Sequence, residues 1–166
     1  MYRFLSLCAM LVLLVGTASA GTQQDEYKAL TQGFYDEVVN NGNIAAADKY
    51  LAENFVDHEP FPGLKSDREG CKQFFAMMRD AFPDLKFDIH FMLAEGDKVA
   101  VYITMSGTQK KDFAGIPSSG KKFSANTIDI IRIADGKAVE HWGVTDGMTM
   151  MQQLGAMPAP PLSAGE

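Results

Sequence analysis

The sequence predicts an α+β fold in which N-terminal helices pack on a curved antiparallel sheet. Apolar residues recur at helical spacing in the first half of the chain and alternate with polar residues from Leu85 onward. The two kinds of element occur in separate blocks, which is typical of α+β domains. A strongly curved sheet over helices leaves a cone-shaped space, and such a space is a natural site for a small apolar ligand.

The first twenty residues are predicted to be a secretory signal that is cleaved after Ala20. Arg3 is their only charge, "FLSLCAMLVLLV" is short for a membrane span, and Ala18 and Ala20 stand where a signal peptidase cleaves. An uncleaved anchor is the alternative. We expect a secreted or periplasmic protein with one domain over residues 21–155, no membrane attachment after cleavage, and a disordered Pro/Ala-rich tail over 156–166.

Charge and cysteine content exclude some partners. The chain of 166 residues has a net charge of −6 and no long basic cluster, its best pairs being Lys110–Lys111 and Lys121–Lys122 in predicted turns. Nucleic acid and anionic membrane surfaces are therefore not expected partners. Cys71 is the only cysteine beyond the leader, so no internal disulfide is expected. We interpret Cys71 as a small buried helix residue.

Three helices are predicted ahead of the sheet. The first covers residues 25–40, and the second covers 44–55 with Asn43 as its N-cap. The third begins at a capping box of Ser66 and Glu69 and ends before Pro83. Its expected buried stripe is Cys71, Phe74, Phe75, Met78 and Phe82. The segment "FVDHEPFPG" between the second and third helices reads as extended.

Four strands and a closing helix are predicted to follow. "LKFDIHFMLAE" should place alternate residues on one face, namely Leu85, Phe87, Ile89, Phe91 and Leu93. "KVAVYITMSGTQ" is apolar on both faces, as a central strand is. "FSANTIDIIRIA" and "KAVEHWGVTD" are joined by "DG", a strong hairpin signal. The last helix spans residues 147–154.

Asp129 is the first candidate for chemistry. By alternation it shares an otherwise apolar strand face with Thr127 and Ile131, where loss of water would raise the pKa of a carboxylate. A carboxylate tuned upward can act as a general base or acid near neutral pH. An Asp on the solvent face, or one bound to a backbone N–H, is the alternative interpretation.

The hairpin register decides which residue faces Asp129. A three-residue loop with Gly136 as the bulge sets Asp129 facing His141 across the strands, whereas a two-residue turn brings Trp142 round instead. "ADGK" permits both, and we favour the bulged form. An Asp–His pair inside an apolar space would fix the imidazole tautomer and form a coupled acid/base.

His58 is the second candidate. Its strand alternation with Val56 suggests an inward imidazole, although a histidine bonded by the core's own backbone is an equal alternative. His90 shares a polar strand face and is interpreted as solvated. The three histidines show no metal-ligand spacing, and we find no phosphate loop, dinucleotide fingerprint or nucleophile motif. No metal or cofactor is therefore expected.

Several segments together resemble a known family. "FVDHEPFPG", "REGCKQFFAMMRDAFPDLKFDI", "SGTQKKDFAGIPSSGKKF" and "IDIIRIADGKAVEHWGVTD" occur in this order. They resemble the SnoaL-like polyketide cyclase, or ester cyclase, branch of the nuclear-transport-factor-2-like superfamily, over residues from about 29 to 155. The resemblance implies a cone-shaped α+β fold that is often dimeric, with a pocket in the cone.

The resemblance also implies a chemistry, with one departure. In the family's polyketide cyclases an Asp on the last strand removes a proton beside a carbonyl, a His on the preceding strand assists, and the ring closes by aldol addition without cofactor or metal. The His aligns with position 129 and the Asp with position 143, where this chain has Asp129 and Gly143. The pair is not carried over, although its shared parity supports the bulged register and an inward His141.

Two hypotheses follow. The first is an exported, cofactor-free cyclase or isomerase for a small apolar carbonyl compound, with Asp129 and His141 as the catalytic pair. His58, Trp142 and Asp146 would bind substrate or assist the pair. The second is a non-catalytic module of the same fold that binds a small ligand or forms a homodimer, which the absence of an Asp at position 143 favours. Geometry at Asp129 separates the two.

Overall fold

A computed structural model describes residues 17–158 and confirms the α+β class. The helical segments are α1 (Thr17–Phe34), its π-helical extension (Tyr35–Asn40), a 3₁₀ turn (Ile44–Ala46), α2 (Ala47–Tyr50), α3 (Arg68–Ala81) and α4 (Gly147–Leu154). The strands are β1 (Leu51–Asp57), β2 (Lys86–Glu95), β3 (Lys98–Thr108), β4 (Lys122–Ala134) and β5 (Lys137–Thr145). Most of the predicted leader, residues 1–16, and most of the predicted tail, 159–166, lie outside the described residues. Within 17–158, no helix is both long and apolar enough to cross a membrane.

The five strands form one mixed sheet in the order β1-β5-β4-β3-β2. β1 runs parallel to β5, while the other neighbours are antiparallel. The prediction of a helix over 44–55 is therefore wrong beyond Tyr50, where the chain becomes extended and forms this edge strand. The side chain of Asn43 makes no capping bond to the helical turn that follows it. β1 matters for the site because its last residue, Asp57, pairs with His141 in the middle of β5.

The first predicted helix is present, but its last six residues form a π-helix. A π-helical turn contains an extra residue, so consecutive residues Phe34 and Tyr35 both turn toward the sheet. Arg79 of α3 holds the end of this segment by donating hydrogen bonds to the carbonyls of Val39 and Asn40. Tyr35 is thereby buried, with 3% of its surface exposed.

The start of α3 differs from the predicted capping box. The N-cap is Asp67, whose Oδ1 accepts a hydrogen bond from the backbone N–H of Gly70 at 2.9 Å. An Asp at this position satisfies one of the unpaired N–H groups of the first turn as well as a Ser would. The helix ends at Ala81, as Pro83 predicts, and its stripe packs on the sheet with Met78 and Phe82 fully buried.

β2 contains a bulge that the alternating pattern does not reveal. Ile89 pairs with Ile103, but Phe91 pairs with Tyr102, so His90 is an extra residue. An extra residue reverses which side chains face the core. The prediction that Phe91 and Leu93 share the face of Phe87 is therefore wrong, because they lie 53% and 65% exposed on the other side.

The sheet has two different faces. The inner face packs against α1 and α3 and carries the main core, including Val101, Ile103 and Met105 of the central strand β3. The opposite face, which we call the outer face, exposes large apolar side chains to solvent. These are Val56, Phe91, Leu93, Ile128, Ile130 and Val144.

Candidate active site

Asp129 lies in the middle of β4 on the inner face and is 8% exposed. Its partners across the sheet are Val101 on β3 and Gly143 on β5. The inward orientation predicted from alternation is confirmed. The backbone of β4 is fully occupied by its two neighbouring strands, so the carboxylate is held on a rigid element rather than on a loop.

The turn between β4 and β5 has two residues, so the predicted three-residue loop is wrong. Ala134 pairs directly with Lys137, and the two turn residues Asp135 and Gly136 have φ angles of 49° and 71°. Positive φ at both positions is the conformation of a type I′ turn, whose twist matches that of antiparallel strands.

A bulge farther along β5 nevertheless turns His141 inward. Val139 is the extra residue between two successive pairs, Ile133–Ala138 and Arg132–Glu140. This reverses the parity of the rest of β5. His141 lies opposite Ile131 and Gly143 lies opposite Asp129, all on the inner face. The predicted orientation of His141 is thus present, although it reaches Asp129 diagonally and not from the directly paired position.

His141 lies between two carboxylates. Its Nδ1 is 2.9 Å from Oδ1 of Asp57, and its Nε2 is 3.5 Å from Oδ1 of Asp129. The side chains of Asp57, Asp129 and His141 are 15%, 12% and 25% exposed. Asp57 and His141 also pair through their backbones, because β1 and β5 are in register at this point. The three side chains form a linear Asp–His–Asp arrangement.

Tyr35 and Thr127 complete the surroundings of Asp129. The Tyr35 hydroxyl donates a hydrogen bond of 2.6 Å to Oδ2 of Asp129. The Thr127 hydroxyl lies 3.2 Å from Oδ1 and also 3.2 Å from the carbonyl oxygen of Val144, so these acceptors share its proton. Both oxygens of Asp129 therefore have donors beside them, which orients the carboxylate.

The charges of the triad shift the pKa values around it. Burial alone would lower the pKa of His141, but the hydrogen bonds and charges of Asp129 and Asp57 raise it from 6.5 to about 9. Burial alone would raise the pKa of Asp57, but the hydrogen bond and charge of His141, with the backbone N–H of Glu59, hold it below its usual value. Burial, with the charge of Asp129, places the pKa of Tyr35 well above 10.0. At neutral pH His141 is therefore an imidazolium, and Tyr35 is a neutral hydrogen-bond donor.

Gly143 leaves the space that the side chains of Asp129 and His141 occupy. A Cβ at this position would lie 2.9 Å from Oδ1 of Asp129 and 3.0 Å from Cε1 of His141. These distances are too short for a carbon atom, so a side chain here would displace both groups. The glycine at the position that the family resemblance aligns with a catalytic Asp is thus a condition for the Asp129–His141 contact.

The triad lies at the polar end of a cavity of about 450 Å³ between the helices and the inner face. The lining is mostly apolar and includes an aromatic group, namely Phe34, Phe61, Phe74, Phe75, Phe87 and Phe113. No Lys or Arg lines it among the described residues, whereas Asp57, Glu59 and Asp129 do. A cavity of this size and polarity suits a small, uncharged and largely apolar molecule.

Two residues expected to bind substrate lie on the other side of the sheet. His58 and Trp142 stack with their ring centres 4.5 Å apart, and Nε2 of His58 is 3.3 Å from Oε2 of Glu140. Neither lines the cavity. The inward orientation of His58 is therefore wrong. Alternation did separate His58 from Asp57, but the face that turns inward is the one with Phe55 and Asp57.

Asp146 does not line the cavity, although its neighbours Thr145 and Gly147 do. Its carboxylate caps α4, accepting hydrogen bonds from the backbone N–H and the hydroxyl of Thr149. Cys71 does line the cavity, and burial together with the charges of Asp57 and Asp129 raises its thiol pKa to about 12. The thiol is thus neutral, in keeping with its interpretation as a small buried residue. His90 is exposed, as expected, and bonds the Thr104 hydroxyl.

Asp57 and Tyr35 are the site residues that sequence reasoning missed. The signal for Asp57 was its alternation with Phe55, which marks the buried face of a short strand. The signal for Tyr35 was its helical spacing, four residues after Thr31 and four before Val39, which are both buried. Across the described part of the chain, no cluster of three or more His, Cys, Asp or Glu side chains has the arrangement of a metal site.

Comparisons with known proteins identify a family and similar folds. The family model described as SnoaL-like polyketide cyclase matches residues 29–154. Nogalonic acid methyl ester cyclase of Streptomyces nogalater is 22% identical over 118 residues, which are 70% of this chain and 88% of that protein. Two solved structures are each 30% identical to this chain. TsrD of Streptomyces laurentii has a TM-score of 0.74, and the match covers 81% of this chain and 98% of TsrD. IdmH of Streptomyces antibioticus has a TM-score of 0.68, and the match covers 77% of this chain and 97% of IdmH.

Proposed function

The chain belongs to the SnoaL-like polyketide cyclase family, and on this premise we propose that it catalyses a cofactor-free cyclisation or isomerisation of a small apolar carbonyl compound. One observation carries the proposal. A carboxylate and an imidazolium adjoin at the polar end of an otherwise apolar cavity, with Nε2 of His141 3.5 Å from Oδ1 of Asp129. A base and an acid placed side by side are what enolisation of a carbonyl requires.

The proposed reaction uses the two groups in opposite roles. Asp129 takes the proton from the carbon beside the carbonyl, and His141 donates its Nε2 proton to the carbonyl oxygen, so that a neutral enol forms. In a cyclisation the enol carbon then forms a C–C bond to a second carbonyl carbon of the same molecule. The new alkoxide takes up a proton as the enol oxygen loses one, and both side chains return to their starting states. No atom is gained or lost.

Among the described residues, His141 is the only cationic group that lines the cavity, and this favours an uncharged substrate. Asp57 and Asp129 together outnumber the single imidazolium, so a ligand carboxylate would lie in the cavity without a counter-charge. Burying an unpaired charge costs several kcal/mol. An ester or a neutral ketone avoids this cost, and the name of the relative from Streptomyces nogalater likewise specifies a methyl ester.

Native mass spectrometry of protein purified from its own compartment tests the ligand class. We expect a bound, neutral, largely apolar carbonyl compound, because the cavity offers aromatic contacts at one end and an acid–base pair at the other. A bound fatty acid or phosphate ester would contradict the proposal. A preparation of Gly143→Phe, whose side chain would fill the polar end, is the matched control and should carry no ligand.

Ligand binding without catalysis is the second candidate function. It is favoured by Gly143, since the position that the family resemblance assigns to the catalytic Asp has no side chain. On this view the Tyr35 hydroxyl and His141 merely neutralise Asp129. The Asp129→Asn variant described in the Discussion distinguishes the two functions.

We further propose that the protein is exported, with cleavage after Ala20. The support is the sequence of the leader, whose apolar run and small residues Ala18 and Ala20 match a signal peptidase site. The intact mass in the same native spectrum reports the first residue. A mature chain that begins at Gly21 supports export, and a chain that retains residues 1–20 refutes it.

The outer face supports a homodimer. Paired residues on neighbouring strands form a continuous apolar row, namely Phe91, Tyr102, Ile128 and Val144. Ile128 and Val144 are 51% and 76% exposed, and a contiguous apolar patch of this kind marks a protein interface. Two-fold pairing of the same face buries such a row against itself, so we propose a second copy of the chain as the occupant.

The Ile128→Asp/Val144→Asp double variant is expected to be monomeric. Carboxylates from both copies would meet at the centre of the interface without a counter-charge, which disfavours association by several kcal/mol. Light scattering coupled to size-exclusion chromatography should give twice the chain mass for the wild type and for Met148→Asp, a control at an equally exposed residue on α4. A monomeric wild type at micromolar concentration would contradict the dimer.

A further inference from the structure

We propose that Asp57 is a positioning residue that keeps His141 doubly protonated, so that its Nε2–H is the proton donor of the cavity. The inference rests on the proposed function for its catalytic consequence, but its structural basis is independent of any substrate. Asp57 is not one of the two positions that the family resemblance implies, and the alternating pattern of the strands did not single it out as a candidate site residue.

The contact with Asp57 determines the protonation of Nδ1 of His141. An ionised carboxylate can only accept hydrogen bonds, so the 2.9 Å contact with Asp57 requires a proton on Nδ1 of His141. Asp57 is itself fixed in place. Its backbone N–H donates to the Ser66 carbonyl at 3.0 Å, and its Oδ1 accepts from the Glu59 backbone N–H at 3.0 Å.

The contact with Asp129 favours a proton on Nε2 of His141 as well. If Nδ1 alone carried a proton, the lone pair of Nε2 would face Oδ1 of Asp129 at 3.5 Å, and two electron-rich atoms would repel each other. A proton on Nε2 converts this contact into attraction. The clamp on Nδ1 therefore favours the imidazolium, and not only one tautomer of the neutral ring.

The lengths of the two contacts show which nitrogen of His141 can donate its proton to a ligand. At 3.5 Å the contact from Nε2 to Asp129 is long for a hydrogen bond, whereas the contact from Nδ1 to Asp57 is of normal length. The imidazole is thus held at the Asp57 side and has room at the Asp129 side. His141 and Asp129 both line the cavity, so a carbonyl oxygen seated there can accept the Nε2 proton in place of Asp129.

The titratable groups around the imidazole come from four elements. Asp57 contacts it from β1 and Asp129 from β4, while Tyr35 of the π-helix bonds Asp129 and Cys71 of α3 lies near both carboxylates. Tyr35 and Cys71 are neutral at pH 7 because burial raises the pKa of both. The charge state of His141 is therefore set by the two aspartates.

NMR titration of the imidazole nitrogens in the wild type and in Asp57→Asn tests the inference. The wild-type His141 should carry protons on both nitrogens at pH 7 and titrate near pH 9, and in Asp57→Asn its midpoint should fall by about one pH unit or more. Glu140→Gln, which removes the carboxylate beside His58 on the outer face, should leave the His141 midpoint unchanged.

Three results would overturn the inference. They are a neutral His141 in the wild type at pH 7, a midpoint in Asp57→Asn within a few tenths of the wild-type value, and an equal shift in Glu140→Gln. The wild-type measurement can still overturn the inference if Asp57→Asn fails to fold. Loss of turnover in Asp129→Asn is a separate readout, so the titration can support the role of Asp57 even where no turnover is found.

Discussion

Asp129→Asn is expected to lower turnover by about 10²–10⁴-fold, the usual contribution of a positioned general base. The amide has the same shape as the carboxylate and can still accept the Tyr35 hydrogen bond, so the cavity should persist. What is lost is the ability to take a proton from carbon. The measurement is kcat on the carbonyl compound identified by native mass spectrometry.

Asp146→Asn is the matched control for this variant. Asp146 follows β5, on the other side of the hairpin turn from Asp129, and its carboxylate only caps α4. We expect near wild-type turnover and near wild-type stability from it, because Asn caps a helix about as well as Asp. Full turnover by Asp129→Asn would remove the base from the mechanism and leave the ligand-binding function.

His141→Gln is expected to lower the free energy of unfolding by about 3 kcal/mol near pH 7, at the low end for breaking a buried ion pair because a quarter of the imidazole is exposed. The variant leaves Asp57 and Asp129 as two adjacent, partly buried carboxylates without a cation. The double variant Asp57→Asn/His141→Gln should regain part of this stability, because one of the two uncompensated charges is gone. Urea denaturation of the three proteins measures the difference.

The ion pairs of His141 with Asp57 and Asp129 make the stability of the wild-type protein depend on pH. The pKa of His141 is 6.5 as an unperturbed group and about 9 in the folded protein. Its stabilising contribution is therefore fully present below pH 6.5 and is lost as the pH rises through 9. His141→Gln lacks this loss, so its stability curve should converge with that of the wild type between pH 6.5 and 9.5. Parallel curves for His141→Gln would contradict the ion-pair account.

The inner face of β4 was predictable because alternation is a local property. Thirteen consecutive residues of β4 keep one pairing register with β3 through most of their length, so Asp129 could be placed from the sequence alone. The orientation of His141 depends on the pairing register of β4 and β5, and two bulges show why a register is harder to predict than alternation. Val139 in β5 and His90 in β2 each reverse the parity of a strand, and neither is marked by a glycine or proline.

Other parts of the site depend on contacts between distant segments. β1 is a parallel edge strand whose partner lies more than eighty residues away, and "DKYLAENF" alone fits a helix as well as a strand. Tyr35 lies at helical spacing from Thr31, but only the tertiary structure brings its hydroxyl to Asp129. Local periodicity can place Asp57 and Tyr35 on buried faces but cannot report these contacts between distant segments, so their part in the site was missed.

The departure from the family's pair is also explained by geometry. Gly143 and Asp129 are direct partners across the hairpin, and a Cβ on Gly143 would overlap the carboxylate and the imidazole together. An Asp at 143 would therefore require the side chains of Asp129 and His141 to shift from their present positions. The chain retains an acid–base pair at the same end of the cavity but builds it from different positions.

Proton exchange on a bound ketone tests the central claim most directly. A bicyclic ketone such as 1-tetralone, incubated with the protein in D₂O, would exchange the protons beside its carbonyl if Asp129 and His141 form the enol as proposed. NMR should show this loss of α-proton signal with the wild type and no acceleration over buffer with Asp129→Asn. Equal exchange rates for the two proteins with the ketone bound to both would show that the carboxylate does not move the proton.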